Sequence, residues 1–159
     1  MLLISAQWAG SWGVDDAVRP YSRDEVLHAV ALIKAHLAED EEAVRALQDE
    51  TDESARQCAR SMFALAHIIV FGQIVPDMWV MRRSLDFGHT DRVPELNLAI
   101  HVLKRMEERV GLAHVHPVVG ALSAGDVMDL IVQCTGTTME DVPVFLDNIR
   151  ERTLRSADF

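Results

Sequence analysis

Apolar residues recur three and four positions apart through most of this chain, and that spacing restricts it to helices packed face to face. Val26, Val30, Ile33 and Leu37 step by four, three and four, which puts them on one side of a 3.6-residue turn. Ala55, Cys58, Met62, Leu65 and Ile69 make a second stripe, and Ala59, Phe63, Ala66 and Val70 a third beside it. An apolar surface that broad predicts a central helix over 53–71, covered on most sides. Leu96, Ile100, Leu103, Met106 and Val110 repeat the pattern, and no stretch alternates as a strand does. The expected fold is all-α, one compact domain of five to seven helices over 1–159.

Start and stop signals divide that domain. Residues 1–21 hold Trp8, Gly10, Trp12 and Gly13 without any period and read as an irregular arm packed by its tryptophans. Ser22 and Glu25 have the spacing of a capping box, and Tyr21 and Val26 that of a hydrophobic staple, so the first helix begins there. Asp40 is placed to cap a second piece carrying Val44 and Leu47. Gly72 and Pro76 break the central helix, after which Asp77 is placed to cap a short helix through Met78, Trp79, Val80, Met81 and Leu85. A further helix is expected from Pro94 to a stop at Gly111, with Lys104, Arg105 and Arg109 in its last turns where the helix dipole favours cations. The core helices thus occupy 22–111, and 112–122 reads as an extended connection. Ser123 and Asp126 are placed to cap a helix through Val127, Leu130, Ile131 and Cys134; Gly136 ends it, and Thr138 or Asp141 starts another.

This C-terminal pair, 123–155, carries the one supersecondary signal. The run Ile131, Thr135, Gly136, Thr138, Val142, Leu146 and Ile149 resembles the spacing of helix-turn-helix domains of bacterial regulators, where a glycine turn precedes a capped recognition helix. The resemblance covers about a fifth of the chain and implies a regulator that binds DNA as a dimer. The chemistry of the second helix opposes it. Met139, Glu140, Asp141, Pro143, Val144, Phe145, Asp147 and Asn148 offer no cation before Arg150, whereas DNA affinity comes mostly from neutralised phosphates.

Charge points the same way. The formal net charge is −10, and the basic residues form no stripe, so nucleic acid is not an expected partner. Arginine outnumbers lysine thirteen to two, a bias seen in GC-rich bacterial or phage genomes. Cys58 and Cys134 stand far apart with no CxxC, which fits reduced thiols in a cytoplasm and gives no support for a zinc ribbon or disulfide framework. Met1 to Ile4 is too short an apolar run for a signal peptide core. The most apolar stretch, 62–75, is shorter than the roughly 20 residues of a membrane span.

Residues that carry catalysis are scarce. Glu25 and His28 share a helix face, and two such Glu-x-x-His pairs with two further glutamates build di-iron centres; one pair is present, and the capping box already uses Glu25. His114 and His116 lie on one side of an extended segment, but two ligands do not make a metal site. His67, between Ala66 and Ile68, reads as a hydrogen-bonded core histidine. There is no phosphate loop, nucleophile elbow or HExxH motif. No cofactor, metal site or catalytic residue is assigned, and a small metal-dependent enzyme is the third-ranked reading.

Protein contact has two candidate surfaces. From Glu39 to Glu53 the chain has eight acidic residues and one arginine. Such a run is ordinarily a solvated face, and as a site Glu39, Asp40, Glu41 and Glu42 would dock a basic partner. Met78, Trp79, Met81, Arg82 and Arg83 combine the residue types enriched at interface hot spots, which as core residues would merely fill space and as surface residues would make a homodimer or partner groove. The leading expectation is a non-catalytic cytoplasmic adaptor, inhibitor or immunity-type protein whose acidic surface steers a basic partner.

Overall fold

A computed structural model describes residues 21–49, 51–75, 94–112 and 119–156. Within them every regular element is helical, and the protein is an all-α bundle. The arm with Trp8 and Trp12, the segment with Met78, Trp79, Met81, Arg82 and Arg83, and the pair His114 and His116 lie outside the described residues.

Helix α1, Arg23–Leu37, begins as the sequence dictates. The Glu25 N–H donates to Ser22 Oγ at 3.2 Å, and the Ser22 N–H donates back to Glu25 Oε2 at 2.7 Å. A cap of this kind stabilises by about 1 kcal/mol. Val26, Val30 and Ile33 are buried and Leu37 partly so, as their spacing requires. Tyr21 leans on Phe63 and His67 of the next long helix. Asp40 caps α2, Glu41–Leu47, by accepting the Ala43 N–H at 3.0 Å, and Val44 and Leu47 rest against the core.

Helix α3, Asp52–Ile69, is the centre of the bundle. It starts one residue earlier than its apolar stripe suggests, because Thr51 Oγ1 accepts the Ser54 N–H. Ala55, Cys58, Met62, Leu65 and Ile69 are buried, as are Ala59, Ala66 and Val70. Their stripes are covered by α1, by α4 (Pro94–Leu112) and by α5 (Val119–Thr135). Each fully buried Leu, Ile or Met contributes about 1.5–3 kcal/mol. Gly72 does not break the helix: Val70–Ile74 continue as a wider π turn, and Val75 donates to the Val70 carbonyl. Helix α4 likewise runs through Gly111 to Leu112. No helix of the described residues is long and apolar enough to cross a membrane.

The last third departs most from the sequence reading. Residues 119–122 are helical, so α5 starts ahead of Ser123 and neither Ser123 nor Asp126 is a cap. Both are buried inside the helix, and Asp126 accepts from Arg105 at 2.6 Å and from Arg109. The arginines placed for the helix dipole are therefore held by a carboxylate of the neighbouring helix. Gly136 ends α5 with φ +71°, a left-handed turn that suits glycine. After the short 3-10 turn Met139–Asp141 comes α6, Val142–Arg155. Neither Thr138 nor Asp141 caps it through a side chain; the Thr138 hydroxyl donates to Asp141 Oδ2 at 2.7 Å instead. Helix α6 buries Val142, Leu146 and Ile149 and packs on α1, while α5 packs on α3 and α4.

Candidate functional site

The four acidic candidates sit together on the elbow between α1 and α2, and all are exposed. The turn is a Schellman motif: the Glu39 N–H donates to the His36 carbonyl at 3.2 Å and the Asp40 N–H to the Ala35 carbonyl at 3.0 Å. Glu39 occupies the left-handed position, with φ +54°, where glycine is the usual residue and another side chain costs about 1–2 kcal/mol. Asp40 spends one carboxylate oxygen on its cap, and Glu41 pairs with Arg45 at 2.7 Å across one turn of α2. Beside the elbow, Ala35, His36, Glu39, Glu41, Val44 and Arg45 line a shallow cleft of about 270 Å³. The His36 Nε2 is buried with no hydrogen-bond partner among the described residues.

His28 holds this elbow to the bundle. Its Nε2 lies 2.9 Å from the Leu47 carbonyl, which only accepts, so Nε2 carries a proton, and Nδ1 lies 3.1 Å from the Ser61 hydroxyl, whose proton it accepts in the neutral ring. A serine beside a histidine is the core of a nucleophilic dyad. Here Ser61 is fully buried on α3, where substrate has no approach, and the pair is a brace joining α1, α2 and α3. Glu25 is equally committed, held by Ser22 and by Arg60.

Residues 14–159 match DUF6224, described as a family of unknown function. The chain belongs to that family. No curated protein and no solved structure matches it.

Three further groups among the described residues of this DUF6224 protein, Cys58, Cys134 and His67, are shifted by burial. Burial pushes the Cys58 thiol up to about 11 and raises that of Cys134, so neither is a thiolate at neutral pH. His67 is stacked among Tyr21, Phe63 and Phe71, at centroid distances of 5.4, 6.4 and 4.4 Å. These aromatic rings replace the hydrogen-bonded core expected around it, and desolvation lowers its pKa below the usual 6.5. Among the described residues, no three His, Cys, Asp or Glu side chains are placed to hold a metal.

The sequence located the acidic elbow by charge density. It missed the Arg60–Glu25 and Arg105–Asp126–Arg109 bridges, whose partners are far apart in the chain. It also missed the left-handed Glu39, which only a glutamate at a helix C-terminus followed by the Asp40 cap could have signalled.

Proposed function

We propose that this protein is a non-catalytic, cytoplasmic protein-binding module of adaptor, inhibitor or immunity type, and that Glu39, Asp40, Glu41 and Glu42 dock a basic surface of its partner. One observation carries the reading: Glu39 is kept in a left-handed backbone conformation by two hydrogen bonds although glycine would fit there at lower cost. Strain retained at an exposed polar residue is characteristic of positions under functional constraint. The turn fixes the backbone that carries these carboxylates, so it is chiefly side-chain freedom that remains to be lost on binding. Net charge of −10 adds long-range attraction for a basic protein and raises its association rate.

The test compares the wild-type chain with a Glu39→Lys, Glu41→Lys, Glu42→Lys variant. A protein captured by the first and lost by the second, whose association rate falls about tenfold or more between low and physiological salt, supports docking at the elbow. Equal capture and equal rates would remove it. Titration of duplex DNA at low salt separates the regulator reading, since a retarded complex at micromolar protein would favour DNA as the partner.

A further inference from the structure

The π turn of α3 opens a cavity on the side of the bundle where α6 ends. Its volume is about 220 Å³, larger than the engineered cavity of about 150 Å³ that admits benzene. Ile68, Ile69 and Ile149 give it an apolar floor, while Gln73, Arg152 and Thr153 supply polar groups around it. Two features of the chain keep it open. The π turn at Val70–Ile74 is wider than an α turn, a geometry that recurs at functional sites. Gly72 lines the cavity without a side chain, and a Cβ there would meet only Ile68 Cγ2 at 3.9 Å, so close packing does not demand glycine.

The charges around the cavity are opposite to those of the molecule. Arg152 is exposed and its guanidinium has no partner among the described residues. Arg23 reaches the same end of the bundle, where its Nη2 donates to the carbonyl of Ser156, another residue of the lining, at 2.5 Å. The Arg23 Nε is buried without a hydrogen-bond partner among the described residues, although Arg23 is not itself part of the lining. Arg155 follows on the same helix, paired with Glu151. An apolar floor beside an unpaired guanidinium matches a molecule that is apolar at one end and anionic at the other, since guanidinium binds carboxylate through charge-assisted, often bidentate hydrogen bonds.

We propose that this cavity binds a small apolar carboxylate, its chain on Ile68, Ile69 and Ile149 and its carboxylate on Arg152. The site is separate from the acidic elbow, needs no protein partner, and stands or falls independently of the docking reading.

Hexanoate is the probe and hexanamide its neutral counterpart, each titrated into the full chain and followed by amide chemical shifts. Hexanoate is expected to shift the signals of Gly72, Gln73, Arg152 and Thr153 with a Kd on the order of 1 mM, as its few heavy atoms allow. Hexanamide should bind about tenfold more weakly, and Arg152→Gln should weaken hexanoate by about the same factor. Gly72→Leu fills the mouth and should abolish binding while leaving the melting curve intact. Arg150→Gln, exposed on the same helix but outside the lining, should change nothing. The proposal is overturned by equal affinity for acid and amide, by shifts confined to another part of the chain, or by the absence of a saturable shift at ten times the expected Kd. Unchanged binding in Arg152→Gln or in a folded Gly72→Leu overturns it as well.

Discussion

Arg60 donates from Nε to Glu25 Oε1 at 2.5 Å, tying the middle of α3 to the first turn of α1. The other oxygen of that carboxylate accepts the Ser22 N–H, so a single side chain caps one helix and cross-links two. The Glu25 side chain is 3% exposed and that of Arg60 21%, which makes loss of the anion far more costly than loss of a surface pair. Glu25→Ala removes half the capping box and the Glu25 side of a largely buried ion pair, and is expected to destabilise by about 2–4 kcal/mol in urea unfolding. Glu25→Gln keeps a group able to accept from Ser22 and should cost less. A loss below about 1 kcal/mol for the alanine variant would show that the bridge contributes no more than an exposed pair does.

What the sequence revealed and what it hid divide along the distance between interacting residues. The capping box of α1, the stripes of α3 and the turn at Gly136 are local, set by residues three or four apart or by one glycine, and the structure has them. Ser123 and Asp126 show the opposite case. Two polar residues ahead of an apolar run have the spacing of a helix start, yet Arg105 and Arg109 from α4 reach Asp126 and make its burial tolerable. No local pattern reports a partner about twenty positions away. The elbow was half legible: charge density marked it, but the left-handed backbone at Glu39 contradicts the glycine preference by which such turns are recognised.

Tyr21 is the chain's one tyrosine, so absorbance near 295 nm follows its ionisation alone. Burial, partly opposed by Arg60 and reinforced by Glu25 and Glu107, pushes its phenol from 10.0 up to about 12. Because the folded value exceeds the unfolded one, this contribution to stability is complete below pH 10 and is lost as pH rises through about 12. A titration midpoint near 12 in the native protein, returning to near 10 in denaturant, is expected. Equal midpoints would mean that the ring is solvated and the contacts with Phe63 and His67 are not maintained.

Gly125 lies inside α5, and a Cβ added there meets nothing within 4 Å. Its backbone has no positive φ that would require glycine. Gly125→Ala is therefore expected to stabilise by roughly 0.5–1 kcal/mol, through a smaller entropy loss on folding and better helix propensity. Unfolding in urea with an unchanged m-value is the check. Destabilisation would indicate that another group approaches this face closely.

Glu39 separates strain that is merely tolerated from strain that is used. Glycine at φ +54° carries no Cβ penalty, and although it has more freedom to lose on folding, Glu39→Gly should stabilise the chain by roughly 0.5–1 kcal/mol. If the elbow docks a basic partner, that gain comes with a slower association, since one carboxylate of the exposed cluster is gone while the turn itself is preserved. Asp40→Ala is the complementary variant: it removes the cap on the Ala43 N–H and should cost about 1 kcal/mol, weakening both the turn and the docking. Higher stability with slower binding in the first variant, against lower stability with slower binding in the second, assigns the effect to the carboxylates themselves. Faster or unchanged association in Glu39→Gly would leave the left-handed glutamate a structural accident and remove the main support for a docking elbow.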